Sequence, residues 1–216
     1  MPGRLFCFFS GRAIGPRLFV QGGPDMNAYL EEPEKLPLWV RIGLYFARKS
    51  TGKDLLLPRV LSWNKKVLMG STLLEMTAAH AKGKKGRLLK LVRIQCSLAA
   101  ACPFCVDMNS QEKEEFQITD EELDAMKGKR SFSDVPSLDG GEKAALEYAR
   151  MISSSPLNIS GEAVHSLKKY FSNGEIVLLA GTAAQVNYWA RLIQALGVPP
   201  AGFCEISSSP EGEPIK

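Results

Sequence analysis

The most informative stretch of the sequence is residues 88–110, LLKLVRIQCSLAAACPFCVDMNS. Its first half carries apolar residues at the three- and four-residue spacing of an amphipathic helix. Its second half contains the motif Cys102-Pro103-Phe104-Cys105. Cysteines at this spacing can place both sulfurs on one side of the first turn of a helix, and proline is favoured early in a helix because it has no N–H to lose. The stretch therefore predicts a helix followed by a cysteine pair at the first turn of another.

Cysteine pairs at this spacing serve redox chemistry, bind metal or fill a core. A helix N-terminus stabilises a thiolate through its partial positive charge and unpaired N–H groups, and a disulfide across this spacing closes with little backbone movement. A structural zinc site needs four ligands, usually from two such pairs. The other candidate ligands are single residues: Cys7, Cys96, Cys204, His80 and His165. Redox chemistry is therefore the favoured function of the pair, and we expect no metal or cofactor. Metal binding and a place in the core are the less favoured alternatives, and both stay open.

Helical spacing and capping residues account for most of the remaining chain, and short alternating β-branched runs are nearly absent. Two capping boxes, Thr119–Glu122 and Ser172–Glu175, mark helix starts. Gly83 and Gly86 are interpreted as a break in the chain, and residues 127–141 as a loop. The predicted class is all-α, with helices over residues 36–49, 67–81, 87–101, 119–126, 141–152, 160–171 and 172–197.

Composition is that of a globular protein, with 45% hydrophobic and 23% charged residues. The net charge of +4 is mild, and the basic run at residues 82–90 is interpreted as a solvated helix lead-in, so no nucleic-acid partner is expected. No stretch approaches the ~18 apolar residues of a membrane-spanning helix, so no membrane partner is expected. Five scattered cysteines do not form the pattern of a secreted disulfide scaffold, which favours the cytoplasm.

The two ends of the chain differ from its centre. Residues 1–25 carry three arginines and no acid before Asp25, which fits either a transit peptide or an over-long start with Met26 as the true beginning, and the second is favoured. Residues 26–205 are predicted to form a single helical domain. Residues 206–216 are polar and rich in Pro and Gly, so a flexible tail is predicted there.

Residues 88–110 resemble the alkylhydroperoxidase D-like branch of the carboxymuconolactone decarboxylase family. Later segments agree with it: Ile118-Thr-Asp-Glu-Glu-Leu123, Glu142-Lys-Ala-Ala-Leu-Glu-Tyr-Ala149 and Asn187-Tyr-Trp-Ala-Arg-Leu-Ile-Gln-Ala-Leu-Gly197. The resemblance extends over residues 36–203. It implies an alkylhydroperoxidase D-like helical bundle that assembles as a homo-oligomer, a trimer or a hexamer. It also implies a hydroperoxide substrate and a dithiol or thioredoxin-like reductant.

The resemblance assigns the two cysteines different roles. Cys105 occupies the position that the peroxide oxidises, and Cys102 occupies that of the resolving thiol, which condenses with a sulfenic acid to a disulfide. The implied function is peroxiredoxin-type reduction of alkyl hydroperoxides or thiol–disulfide oxidoreduction. The alternative is a non-redox member of the same fold that binds or transforms a small organic acid. The decarboxylase branch lacks a CxxC signature, so the motif favours the redox function.

Two positions depart from the peroxidase pattern. The family's Glu, twelve residues before the first cysteine, is Lys90 here, and its His, four residues after the second, is Asn109. Because Asn takes up no proton near neutral pH and Lys is a cation there, the proton relay of the family is missing. Lys90 could support the thiolate by charge, Asn109 lies one turn beyond Cys105, and His80 is the candidate stand-in for the missing His.

Other polar residues have a structural interpretation beside a functional one. Lys90, Arg93 and Ser97 recur at the spacing of a solvated stripe on an amphipathic helix. Cys96 is interpreted as a small core residue and Cys204 as a loop residue, with an extra resolving thiol as the alternative for either. In the last helix, Asn187, Trp189, Arg191 and Ile193 are interpreted as packing and subunit-contact residues, with a role in a pocket as the alternative.

Overall fold

The computed structural model describes residues 28–78 and 80–203, and this part of the chain contains helices and turns without β-strands. The all-α prediction is confirmed. Predictions were made above for the two chain ends, residues 1–25 and 206–216, and for Cys7 and Cys204. All of these lie outside the described residues. The helices are α1 Leu38–Thr51, α2 Leu56–Leu61, α3 Lys65–Met76, α4 Gly83–Ala99, α5 Pro103–Ser110, α6 Asp120–Met126, α7 Gly140–Ile152, α8 Gly161–Leu167 and α9 Asn173–Leu196.

Helix starts follow the local capping chemistry of the sequence. Both predicted capping boxes form, at Thr119 before α6 and at Ser172 before α9. A third, between Asp139 and Glu142, begins α7 one residue earlier than expected. Helix α9 ends at Gly197, whose φ of 64° is the left-handed conformation that favours glycine.

Several helices differ from the sequence prediction. Helix α2 was not predicted, and Pro58 fits its first turn because the first amides of a helix need no intrahelical acceptor. Helix α3 begins after Asn64, whose side chain accepts hydrogen bonds from two amides of the first turn, and it ends at Met76, five residues before the expected end. Helix α8 ends at Leu167 rather than at residue 171.

Helix α4 is the central element and packs against α5, α7 and α9. The predicted break at Gly83 and Gly86 is wrong, because α4 begins at Gly83 and Gly86 lies in its first turn. A Cβ atom on Gly86 would lie 2.1 Å from the carbonyl oxygen of Ala81 and 2.9 Å from the Phe116 ring. Gly86 is therefore required by a close approach of backbone and ring.

The side of α4 that carries Lys90 and Ser97 is covered by other parts of the chain and does not face solvent. Ser97 is fully buried, and the side chain of Lys90 is only 14% exposed. Ser97 contacts α5, and Lys90 contacts the residue that follows α5. The solvated-stripe interpretation is wrong because the chain reverses after α4 and lays α5 along this side.

Arg87 fixes the start of α4 to two other helices. Its guanidinium donates to Glu122 at 2.6 Å and to Glu142 at 2.8 Å. These are the same carboxylates that close the capping boxes of α6 and α7. Burial acts to raise the pKa of Glu122, but hydrogen bonds from Arg87, Ser137 and the Thr119 amide outweigh it and hold that pKa below its usual value.

The contact at Gly86 gives a stability prediction. Gly86→Ala should lower the free energy of unfolding by about 2–3 kcal/mol, because the new methyl group meets backbone that cannot move aside. Gly181→Ala is the matched control: it lies in the interior of α9, a Cβ atom added there would have nothing within 4 Å, and the substitution should raise the free energy of unfolding by about 0.5–1 kcal/mol. Urea denaturation measures both values, and equal effects of the two substitutions would contradict the role given to Gly86.

Candidate dithiol site

A tight corner between α4 and α5 carries the cysteine motif. The amide of Ala101 donates to the carbonyl of Leu98 at 3.0 Å, and the amide of Cys102 donates to the carbonyl of Ser97 at 3.2 Å. This is the hydrogen-bond pattern of a Schellman motif, which ends a helix at a left-handed residue. Ala101 holds that position with a φ of 48°. The corner turns the chain so that α5 starts at the C-terminal end of α4.

Both cysteines belong to the start of α5. Cys102 is the N-cap residue, Pro103 is the first helical residue, and the Cys102 Sγ accepts a hydrogen bond from the amide of Cys105 at 3.3 Å. The Cα atoms of the two cysteines are 5.2 Å apart and their sulfurs are in disulfide contact. The arrangement predicted from the spacing, two sulfurs on one side of a first helical turn, is present.

The cysteine pair lies inside an apolar cluster. Cys102 is 0% exposed and Cys105 is 3% exposed. The surrounding side chains come from α1, α2, α3, α5 and α9, and the segment after α9, and they are Val40, Leu57, Leu61, Leu68, Phe104, Ala190, Ile193 and Val198. A reactant must therefore reach the sulfurs through apolar side chains rather than from open solvent.

Asn109 lies one turn after Cys105 and is joined to α4. Its Nδ2 donates to the Ser97 Oγ at 3.0 Å, and that hydroxyl donates to the carbonyl of Arg93 at 2.8 Å. The side chains in this chain of bonds are an amide and a hydroxyl, and neither titrates near neutral pH. Ser97 was interpreted as a stripe residue, and only the folding of α5 onto α4 reveals its contact with the site.

Lys90 and His80 lie further from the cysteines. Lys90 Nζ donates to the carbonyl of Gln111, just past the end of α5, at 2.7 Å and lies 3.7 Å from Glu112. His80 is exposed and precedes α4, at the opposite end from Cys102. A helix of 17 residues is about 25 Å long, so His80 is not placed to stand in for the missing His. The structure thus brings together Cys102 and Cys105, with Asn109 one turn further along α5 and bonded to Ser97.

Cys96 is a core residue, as predicted. It belongs to a different apolar cluster, between α4, α7 and α9, and its Sγ donates to the carbonyl of Ala149 at 3.8 Å. Burial raises the pKa of the Cys96 thiol to about 11, although a hydrogen bond with Ser153 acts to lower it. This location does not support a role as an extra resolving thiol.

The last helix contributes packing and polar contacts that were not predicted. Ile193 belongs to the cysteine cluster, and Asn187 donates to the Ser153 hydroxyl at 2.9 Å. The Trp189 Nε1 and the Gln185 Nε2 both donate to the same carboxylate oxygen of Glu75, at 2.8 Å and 3.1 Å. Glu75 gave no signal in the sequence, because its partners lie more than a hundred residues away.

The described part of the chain holds neither a metal cluster nor a membrane-spanning helix. Within residues 28–78 and 80–203, no three His, Cys, Asp or Glu side chains are grouped as ligands for a metal ion. None of the helices described there is long and apolar enough to cross a membrane.

Two uncharacterized bacterial proteins are similar to the chain in sequence. YdfG of Bacillus subtilis (strain 168) is 25% identical over 109 residues, which cover 50% of this chain and 72% of YdfG. YnjA of Escherichia coli (strain K12) is 27% identical over 176 residues, which cover 80% of this chain and 93% of YnjA. No family model matches the sequence.

Several solved structures are similar to the chain in fold. The alkylhydroperoxidase AhpD core of an uncharacterized peroxidase-related protein from Ralstonia eutropha JMP134 superposes with a TM-score of 0.68 at 14% identity, covering 85% of this chain and 98% of that one. A peroxidase-related protein from Silicibacter sp. TM1040 gives 0.69 at 14% identity, covering 83% and 95%. The debrominase Bmp8 in complex with 2,3,4-tribromopyrrole gives 0.66 at 15% identity, covering 84% and 98%.

The chain therefore has the alkylhydroperoxidase D-like fold that residues 88–110 predicted. At these identities the likeness shows the fold alone. The presence of a debrominase among the neighbours shows that this fold carries more than one kind of reaction.

The burial of Cys96 gives a reactivity prediction. A thiol with a pKa of about 11 is ionised far less at pH 8 than one of ordinary pKa, and only the thiolate reacts. Iodoacetamide should therefore modify Cys96 at least about a hundredfold more slowly in the folded protein than in urea. The modification is measured by mass spectrometry on protein that carries Cys7→Ser and Cys204→Ser. Cys102 and Cys105 are first joined in a disulfide, so that Cys96 is the thiol left to react. Equal rates in the two conditions would show that Cys96 is accessible.

Proposed function

We propose that the protein is a dithiol oxidoreductase that reduces organic hydroperoxides, with Cys105 as the attacking thiol and Cys102 as the resolving thiol. The observation that supports a dithiol function most is the position of both sulfurs at the first turn of α5. The order of the two thiols is taken from the family resemblance, because the Cys105 amide donates to the Cys102 Sγ and this contact favours negative charge on Cys102. Such a turn supplies partial positive charge to a thiolate, and the two sulfurs need no large backbone movement to join.

The reaction balances in three steps. The Cys105 thiolate attacks one peroxide oxygen, the S–O bond forms as the O–O bond breaks, and the alkoxide leaves as alcohol after taking a proton from solvent. The Cys102 thiolate then attacks the Cys105 sulfenic acid; the S–S bond forms, and hydroxide leaves as water with the proton that Cys102 gave up. A dithiol or thioredoxin-like reductant, supplied by a reducing cytoplasm, returns two electrons to the disulfide.

The residues around the cysteines predict slow chemistry. The family pattern would place a proton acceptor at residue 109, and Asn109 instead binds Ser97. Thiol ionisation then depends on pH and on the N-terminus of α5, and the leaving alkoxide receives no proton from a positioned acid. A positioned acid–base group typically contributes ~10²–10⁴-fold to a rate, so turnover should be far below that of a relay-bearing peroxidase.

The alternative function is transformation of a small organic molecule without peroxide. It is favoured by the debrominase neighbour that binds a halogenated pyrrole on the same fold. A thiol count with and without added hydroperoxide separates the two functions. Loss of two thiols per chain supports the proposed function, and an unchanged count supports the alternative.

We also propose that the chain self-associates through α1. One side of this helix presents Leu38, Ile42, Tyr45 and Phe46, which are between 50% and 69% exposed. An exposed apolar surface of this kind is typical of a protein–protein interface. Ile42→Lys with Phe46→Lys should dissociate the oligomer, measured by sedimentation equilibrium, because two charges would be buried. A wild-type protein that sediments only as a 23.7 kDa species at micromolar concentration would contradict the proposal.

The order of the two cysteines can be tested by trapping. In Cys102→Ser, hydroperoxide should leave a stable sulfenic acid on Cys105, because the resolving thiol is absent. In Cys105→Ser, little sulfenic acid should form on any residue. Dimedone labelling followed by peptide mass spectrometry gives the site, and labelling of Cys102 alone in Cys105→Ser would reverse the two roles.

The missing proton acceptor can be restored. Asn109→His should raise the second-order rate constant for an organic hydroperoxide by roughly tenfold or more, because an imidazole one turn from Cys105 can accept the thiol proton. Asn109→Gln is the matched control, since it keeps an amide there, and it should not raise the rate. Stopped-flow measurements across pH 5–9 should show a new titration in Asn109→His only, and identical profiles would show that residue 109 does not face the thiol.

A further inference from the structure

An open cavity of about 760 Å³ lies beside α1, between this helix and the segment that precedes it. Its lining includes four cations, of which three are arginines, and three carboxylates. Volumes of this order are typical of small-molecule sites, which combine apolar walls with a few polar groups. The cavity is separate from the polar contacts made by Asn109, Lys90 and Glu75.

The arginines of the cavity differ in how they are used. Arg59 is paired with Glu32 at 3.0 Å and with Asp54 at 2.9 Å. Arg41 and Arg48 have no carboxylate within salt-bridge distance in the part of the chain that the structure describes, although both line the cavity. They are two turns apart on α1. The cavity therefore offers two guanidinium groups to an anion, and guanidinium forms its strongest hydrogen bonds with carboxylate and phosphate.

The apolar part of the cavity leads towards the cysteines. Leu36 and Leu44 line the cavity, and both pack against the apolar cluster that contains Cys102 and Cys105. Val40, one turn before Leu44 on the same helix, is a buried member of that cluster. Leu36 and Leu44 are therefore shared between the charged cavity and the cysteine cluster. An alkyl chain that enters the cluster here must displace these two side chains, which are only partly buried.

We infer that this cavity selects hydroperoxides that carry a carboxylate on a long alkyl chain, with Arg41 and Arg48 binding the carboxylate and the chain entering the cysteine cluster past Leu36 and Leu44. The inference rests on the proposed function and names its substrate class. The reaction is the one given above: the peroxide oxygen is transferred to the Cys105 sulfur, the hydroxy acid leaves with a proton from solvent, and condensation with Cys102 releases water.

The first test measures binding without chemistry. Oleate, which carries no peroxide, is titrated into the full chain by isothermal calorimetry. We expect Arg41→Gln/Arg48→Gln to weaken oleate binding by about tenfold or more. Lys49→Gln is the matched control, because it removes one positive charge from the exposed side of α1 without touching the cavity, and it should bind oleate as the wild type does. Equal affinity in wild type and Arg41→Gln/Arg48→Gln would overturn the inference.

The second test measures selectivity. Single-turnover oxidation of the reduced protein is followed with a long-chain fatty-acid hydroperoxide, its methyl ester and tert-butyl hydroperoxide. The acid should react about tenfold or more faster than the ester, and Arg41→Gln/Arg48→Gln should remove that difference, whereas Lys49→Gln should keep it. Equal rates for acid and ester would overturn the inference. If oleate binding depends on Arg41 and Arg48 but no hydroperoxide oxidises the cysteines, the proposed function is wrong and the anion site remains.

Discussion

Helix α4 has almost no side that faces solvent, and most of the structure follows from this constraint. Three of its polar residues bind groups outside the helix: Arg87 binds the carboxylates of Glu122 and Glu142, Lys90 binds the carbonyl of Gln111, and Ser97 binds Asn109. These contacts fix where α5, α6 and α7 lie. The amide oxygen of Gln95 is an exception, since it is buried without a hydrogen-bond partner among the described residues. Because an unpaired buried polar group is costly, the partners are as much a part of the fold as the apolar clusters.

The same constraint creates the candidate site. Helix α4 ends in a sharp corner that lets α5 pack back against it, and the left-handed Ala101 makes that corner just before Cys102. The corner sets the dithiol at the start of α5, inside an apolar cluster, and one turn from Asn109. An enclosed dithiol at a helix N-terminus suits redox chemistry with an apolar reactant, whereas the hydroxyl and amide beside it supply no proton transfer. The proposed function follows from this combination, whereas the proposed selectivity for long-chain acids depends on Arg41 and Arg48 in the cavity beside α1.

Some of this could be predicted from the sequence, and the reason is locality. Capping boxes at Thr119 and Ser172, and the cysteine pair at the first turn of α5, depend on residues three apart. Lys90 was misjudged because its partner Gln111 lies more than twenty residues away along the chain. Gly86 was misjudged because a glycine that breaks a helix and one required by close contacts, here with Ala81 and Phe116, look the same in sequence. The spacing of a solvated stripe is the same whether water or another helix covers it, so only tertiary structure separates the two.

The central claim is that Cys102 and Cys105 form one two-electron redox centre. Protein with Cys7→Ser and Cys204→Ser is equilibrated in dithiothreitol buffers of graded redox potential and quenched in acid. It is then denatured and alkylated, and its mass is measured by mass spectrometry. We expect two populations that exchange in a single two-electron transition, one with three alkylated thiols and one with Cys96 alone alkylated. A protein that keeps all three thiols at every potential, or a disulfide that includes Cys96, would contradict it.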